Sequence, residues 1–333
     1  MRAIVMTRPG GPEVLEMREV ETPVIRQPQD VLVRLKAAGV NPIDTKLRAR
    51  GTYAKQQQAA IPGCDGAGIV EAVGESVTRI EPGDAVYYCY GGIGLAPGTD
   101  AEFAVVPEQV IAKKPVSLSF IEAAAAPLVL ITAWEALFDR AHIRPGRKVF
   151  VHAGAGGVGH MAIQLAKNTG CDVATSVSSA GKAAFARKLG ADHAINYQTQ
   201  DVAKALLEWS DGKGVDAALD TVGGEAFAQL VPALRVGGDL VTLLQIPADT
   251  DWKALRLRNI RVSQELMLTP MVMGLDEGLR HQRSILEQCA GWFDEGRLTV
   301  HVSRSLPLEE AARAHQLLEA GGATGKTVLV CNL

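Results

Sequence analysis

Several things are scarce in this chain of 333 residues, and each scarcity removes a class of protein. No apolar run reaches the ~18 residues that a membrane helix needs; the longest apolar patch, Ala123 to Trp134, is broken by Pro127 and Thr132 and reads as buried helix. Surplus positive charge is lacking too. With 34 Lys and Arg against 37 Asp and Glu the net charge is −3, and nothing in that balance points to nucleic acid. The five cysteines, Cys64, Cys89, Cys171, Cys289 and Cys331, are odd in number and scattered, which suits a reducing compartment and argues against a disulfide framework. The first residues, Met-Arg-Ala-Ile-Val-Met, enter a strand pattern without a signal-peptide core, so a cytoplasmic location is expected. Internal repeats and low-complexity tracts are absent as well. What remains is a globular composition, 47% hydrophobic and 21% charged, long enough for about two domains.

The most informative stretch runs from Lys148 to Lys167. Val149–Val151 and Ala153 read as a buried strand. Gly154, Gly156 and Gly159 follow with G-x-G-x-x-G spacing, and Gly157 and Val158 complete the turn. Such glycines permit a tight turn, close backbone approach to a pyrophosphate and close packing of helix on strand. Val158, Met161, Ala162, Leu165 and Ala166 then recur at the i, i+3, i+4, i+7, i+8 spacing of one buried helix face, and Gly170 stands where a C-terminal glycine belongs. A helix that begins at such a turn offers free N–H groups and a positive dipole end to phosphate.

Up to about residue 120 the chain reads as a barrel-like β domain. Short runs at Arg2–Met6, Val31–Ala38, Ile69–Val73, Ala85–Tyr90 and Phe103–Val106 are separated by Gly, Pro and Asp turns. Asn41-Pro42 supplies an N-cap and first-turn proline for one helix that ends before Gly51. Ser119 with Glu122 forms a capping-box pattern, and Pro127 opens a helix through Arg140. From Lys148 strands and helices alternate, with strands expected at Val149–Ala153, Asp172–Val177, Ala194–Tyr197, Val215–Asp220, Leu240–Leu244 and Ile260–Gln264. That is the pattern of a doubly wound α/β sheet. Beyond residue 268, helices at Gly274–Glu295 and Leu308–Ala320 and strands at Leu298–Val302 and Lys326–Val330 have no place in that sheet, and are expected to return to the first domain.

These residues carry a resemblance. Gly39-Val-Asn-Pro-Ile-Asp44, Pro62-Gly-Cys-Asp-Gly-Ala-Gly68, Val73-Gly74, Pro82-Gly-Asp84, Ile131-Thr-Ala-Trp134, the glycine turn, Lys188-Leu-Gly-Ala-Asp192 with Tyr197, Asp220-Thr-Val-Gly223 and Gly325-Lys326 together resemble the zinc-independent medium-chain dehydrogenases/reductases, close to the quinone oxidoreductases of the zeta-crystallin group. The resemblance covers essentially the whole chain. It implies a GroES-like β-barrel domain (residues 1–122), a Rossmann NADP-binding domain (123–268) and a C-terminal segment (269–333) returning to the first, with the substrate between the domains and a homodimer formed by sheet-edge pairing.

NAD-preferring folds usually carry an acidic residue about 20 positions past the first glycine. Here that region reads Ser176-Val-Ser178-Ser179-Ala-Gly-Lys182, without a carboxylate to repel a 2′-phosphate. Lys182 offers a cation, Ser178 and Ser179 offer hydroxyls, and the resemblance puts Tyr197 at a phosphate contact, so NADPH is the expected cofactor. The plain alternative leaves Lys182 on a solvated helix face. Val222, Leu243 and Leu244 complete the expected cofactor site.

Zinc-containing relatives place Cys at position 41 and Gly-His-Glu at 63–65, where this chain has Asn41 and Gly63-Cys64-Asp65; the region of the third ligand reads Ala126-Pro127-Leu128. No metal is therefore expected, because a catalytic zinc takes three protein ligands and an open position. Cys64 otherwise reads as a small buried residue. Without a Lewis acid, acceptors that delocalise the hydride's charge themselves are favoured.

The resemblance makes Asn41, Thr132 and Tyr53 the catalytic candidates and implies that the first two also lie near the nicotinamide. Each has an ordinary alternative: a helix cap, a hydroxyl bonded to its own turn, and a packing aromatic. Reduction of small quinones is the leading expectation. Reduction of the C=C bond of enals, enones or enoyl thioesters is the second, and an NADPH-binding redox sensor or structural protein the third. No nucleic-acid or membrane partner is expected.

Overall fold

The computed structural model describes residues 1–54 and 60–331. The chain divides into two compact units, one made of Met1–Leu128 and Leu268–Leu333, the other of Val129–Met267.

In the first unit, β1 (Arg2–Met6) pairs antiparallel with β2 (Leu15–Glu19). The main sheet is built on β3 (Asp30–Val40), an eleven-residue strand whose alternating inward residues Val31, Val33 and Leu35 are fully buried. It pairs antiparallel with β4 (Asp65–Val73) and with β6 (Phe103–Pro107); β5 (Ala85–Cys89) and the short β7 (Ala112–Lys113) continue the sheet beyond β4. The helix Pro42–Arg50 leaves β3 at Asn41 and ends at Gly51, whose φ of 98° suits glycine. Ser119 and Glu122 form the expected capping box of the helix Phe120–Ala125.

The second unit holds β8 (Lys148–Val151), β9 (Asp172–Val177), β10 (His193–Asn196), β11 (Val215–Asp220), β12 (Leu234–Thr242) and β13 (Arg261–Gln264). Among the described residues these form a parallel sheet of order β10-β9-β8-β11-β12-β13, a doubly wound fold with its switch point between β8 and β11. Its core joins Phe150, Ile195, Leu206, Phe227, Leu240 and Leu255. The helix Gly157–Asn168 is buried more widely than one stripe: Ile163 and Gln164 are covered along with Met161, Ala162, Leu165 and Ala166, while Val158 at the turn is half-buried.

The helix that opens at Pro127 is α-helical only through Trp134. Residues Glu135–Arg140 continue as a π-helical turn, closed by Ala141 N–H donating to the Ala136 carbonyl at 3.1 Å. The C-terminal segment joins the first unit's sheet. There β15 (Lys326–Val330) pairs antiparallel with β3, Val328 opposite Gly39, and β14 (Val302–Pro307) lies parallel to β15 at the edge. That edge strand starts where Leu298–Val302 was expected to end. Leu298 and Val300 alternate and are buried, yet they lie outside the ladder, which is formed instead by the polar Val302–Pro307. No helix among the described residues is long and apolar enough to cross a membrane.

Candidate functional site

The turn after β8 shows why its glycines differ. A Cβ on Gly154 would lie 2.0 Å from Thr175 Oγ1 and 2.6 Å from Ile163 Cδ1; one on Gly159 would lie 2.3 Å from the Ala153 carbonyl oxygen. Both are dictated by packing of helix on strand. A Cβ on Gly156 would meet only the Ala153 oxygen, at 3.1 Å, so packing constrains this glycine at the start of the helix less than the other two. Ala153 takes φ 48°, and its N–H is held by Ser176 Oγ at 3.0 Å. The result is a cradle of backbone N–H groups at the C-terminal end of the sheet, at its switch point.

A buried carboxylate ties the neighbouring strand ends to this cradle. Asp220, at the end of β11, accepts from His152 Nδ1 at 3.0 Å, Val222 N–H at 3.0 Å and Gly223 N–H at 2.9 Å on Oδ1, and from Thr242 Oγ1 at 2.8 Å on Oδ2. Burial acts to raise its pKa, but these bonds outweigh burial and hold it below the ordinary carboxylate range. Leu243 N–H donates to the Asp220 carbonyl and Leu244 N–H to Thr242 Oγ1, so Val222, Leu243 and Leu244 are all fixed from one hub. Of this hub, the sequence marks Val222, Leu243 and Leu244 as site residues and Asp220 only as part of a motif. His152, Asp220 and Thr242 are polar residues at the ends of apolar strands, and that position was the available signal.

The second strand ends at Val177. Ser178 follows half-buried, and Ser179 caps the helix Ala180–Lys188 by accepting from Lys182 N–H at 3.3 Å. Tyr197 N–H donates to the Val177 carbonyl at 3.1 Å, which sets Tyr197, 53% exposed, beside this strand end. The Lys182 ammonium has no partner among the described residues. Thr132 is buried in the helix Pro127–Trp134.

In the first unit, Asn41 is fully buried. Its N–H donates to Asp44 Oδ2 at 2.7 Å, the Asp44 half of a capping box on the helix it precedes. Nδ2 donates to Asp65 Oδ2 at 2.9 Å, and Oδ1 accepts from the Lys326 ammonium. Lys326 Nζ also donates to the Val40 carbonyl at 3.1 Å and lies 3.5 Å from Asp65 Oδ2. Asp65 Oδ1 accepts from Leu128 N–H at 2.8 Å. Burial raises Asp65 above the usual range against the opposing Lys326 charge; burial, with the Asp100 and Asp65 carboxylates, raises Asp44 well above it. Tyr53, by contrast, is 41% exposed, and its hydroxyl has no partner among the described residues. The expected donor Asn41 thus has its amide engaged inside the protein, whereas Tyr53 presents a free one.

These donors do not fit a zinc ion. Asn41 offers an amide oxygen already taken by an ammonium, and Leu128 contributes an N–H, which cannot ligate. Cys64, buried beside them, donates to Asp44 Oδ1 at 3.9 Å. The cradle after β8 does fit a dinucleotide, because Gly156, the least crowded of its three spaced glycines, stands between two that packing demands.

Comparison with known proteins agrees with this architecture. Residues 27–116 match the alcohol dehydrogenase GroES-like domain, and residues 189–329 match the family described as zinc-binding dehydrogenase. The quinone oxidoreductase of Pseudomonas aeruginosa is 34% identical over 322 residues, covering 96% of this chain and 97% of that protein. The structure of Escherichia coli quinone oxidoreductase complexed with NADPH is similar with a TM-score of 0.86 at 30% identity, over 99% of this chain and 100% of that one. An alcohol dehydrogenase superfamily protein from Novosphingobium aromaticivorans is similar with a TM-score of 0.92 at 32% identity, over 100% of both chains. The chain belongs to the medium-chain dehydrogenase/reductase family, among its quinone oxidoreductases.

Proposed function

We propose that the protein is an NADPH-dependent oxidoreductase that reduces small quinones by hydride transfer without a metal. The observation that carries this reading is a dinucleotide cradle whose second strand ends in Ser178 and Ser179 with an unpaired Lys182, where no carboxylate would repel a 2′-phosphate. Relatives named as quinone oxidoreductases, and one of them solved with NADPH, support the same cofactor.

The backbone N–H groups of Gly157, Val158 and Gly159 receive the pyrophosphate, aided by the helix dipole, while the Gly156 N–H closes the turn onto the Ala153 carbonyl at 2.8 Å. Lys182 and Tyr197 take the 2′-phosphate with Ser178, while Ser179 serves mainly as the helix cap beneath it. Val222, Leu243, Leu244 and Thr132 bound the nicotinamide end. When bound, NADPH supplies the hydride. The protein's part is to position the acceptor and exclude water, which suffices for a quinone that spreads the arriving charge over its own ring. The exposed Tyr53 hydroxyl donates a hydrogen bond or proton to the reduced oxygen. Asn41 acts from beneath as a positioning residue, since its amide is held by Asp65 and Lys326.

The free Tyr53 hydroxyl also favours a second reading, reduction of the C=C bond of an enal, enone or enoyl thioester, where a proton must follow the hydride. Initial rates of NADPH oxidation with a chelator present, offering an ortho-quinone and a trans-2-alkenal in parallel, separate the two. Faster turnover of the quinone, above ~1 s⁻¹ and with NADH poor, supports the first. Turnover of the alkenal alone supports the second, and no turnover with NADPH still bound supports a sensor. We further read the chain as a cytoplasmic homodimer paired through the outer edge of β13, an arrangement that size-exclusion with light scattering checks.

A further inference from the structure

Of the positions named for zinc-containing relatives, 41 and 65 meet a lysine here, while Cys64, where those relatives have His, donates instead to Asp44 Oδ1. Residue 41, residue 65 and the Ala126–Leu128 region are joined by hydrogen bonds, as Asp65 accepts from Asn41 Nδ2 on one oxygen and from Leu128 N–H on the other. Lys326 enters from β15, with its side chain 3% exposed. An ammonium has three N–H donors and no acceptor. Three oxygens surround it: the Val40 carbonyl, Asn41 Oδ1 and Asp65 Oδ2. Because a lysine can only donate, the oxygen of the Asn41 amide must face it, and this forces Nδ2 onto Asp65. The amide therefore has one orientation.

We propose that the Lys326 ammonium is the resident cation of this site, occupying the Asn41 and Asp65 oxygens that a divalent metal would need here and locking the Asn41 amide as a positioning residue for hydride transfer. A second cation cannot share these oxygens without displacing the ammonium, and a buried charge persists only where it is paired. The site is thus closed to zinc by a charge the chain supplies itself. The positioning part rests on the proposed reductase activity, while the exclusion of metal does not.

The test has two arms. In the first, wild-type protein and Asp65→Asn are purified without chelator, equilibrated with equimolar ZnCl2, dialysed and assayed for zinc by mass spectrometry. Less than about a tenth of a zinc per chain, equal in both proteins, is expected; one zinc per wild-type chain that Asp65→Asn loses would overturn the assignment. In the second, the double variant Lys326→Met/Asp65→Asn removes both charges together, so that no lone carboxylate is left buried. It is expected to keep the wild-type circular dichroism spectrum while kcat falls at least tenfold and the KM for NADPH stays within twofold. Wild-type kcat in the double variant would reduce Lys326 to a counter-ion of Asp65 and sink the positioning role. If the double variant does not fold, the zinc arm still decides with unmodified protein. If wild-type protein reduces neither quinone nor enone, it is the reductase reading that fails, and the zinc arm again stands apart.

Discussion

The imidazole of His152 donates Nδ1–H to Asp220 Oδ1 across 3.0 Å, at the point where the first and fourth strands of the parallel sheet end side by side. An ionised carboxylate only accepts, so the bond fixes the histidine tautomer as well as its position. The same carboxylate orients the backbone of Val222 and Gly223 and, through Thr242, of Leu244.

Asp220→Ala is expected to leave four donors, those of His152, Gly223 and Thr242 buried, without this acceptor and to cost about 3 kcal/mol in stability. The folded-state pKa of Asp220 lies below its unfolded value of about 3.9, so its contribution is complete above that pH and is lost as pH falls through the folded value. Urea titrations between pH 3 and pH 7 should show a flatter acid limb for Asp220→Asn than for wild type. An identical acid limb in both would remove Asp220 from the account.

The glycines of the turn should part company on substitution. Gly159→Ala drives a methyl group to within 2.3 Å of a backbone carbonyl, and overpacking of that kind costs about 1–3 kcal/mol, read as a lower melting temperature. Gly156→Ala meets only one atom, at 3.1 Å, and should melt near wild type yet bind NADPH at least tenfold more weakly. Equal melting losses for the two variants would contradict the division between packing and ligand approach.

Lys182→Ala should weaken NADPH roughly ten- to a hundredfold and spare NADH, since a hydrogen bond to a charged group is worth about 1.5–3 kcal/mol. Fluorescence titration with both cofactors decides it. Equal losses would return Lys182 to the solvated helix face.

A further pH effect is expected within the first unit. Arg48 Nη1 lies 3.4 Å from His315 Nδ1; because arginine can only donate, the ring is neutral, with its proton on the buried Nε2. Burial first, and the Arg48 charge second, push His315 down to about 4. The unfolded chain, with a histidine near 6.5, binds the proton first as pH drops, so stability should fall between about pH 6.5 and 4 by up to roughly 3 kcal/mol. Comparing urea midpoints at pH 7.5 and pH 5 for wild type and His315→Gln tests this, with the variant expected to show the smaller change.

The sequence made the nucleotide half plain because its signals are local. Apolar residues up to Ala153, three glycines within six positions and a helical period after them lie in one short stretch, and the sheet supplies no competing influence. The expected strand at Leu298–Val302 failed for a physical reason. Alternating apolar residues report burial on one face, and burial does not require ladder bonds; at a sheet edge the bonded residues are free to be polar, as Ser303, Arg304 and Ser305 are. Nor did composition indicate that the helix from Pro127 would change to a π-turn at Glu135. Lys326 was the least legible. It begins a buried strand as an isolated charge, and its meaning depends on Asn41, a residue 285 positions away.

That distance also has a bearing on how the protein is made. The unit Val129–Met267 is continuous and can fold as soon as it emerges, whereas β3 waits for β15 and Asp65 waits for its lysine. At the usual pace of translation that wait is on the order of tens of seconds. Until it ends, the Ala37–Val40 edge of β3 is an open template for mispairing, so chaperone demand during biosynthesis should concentrate on the half of the molecule that is translated first.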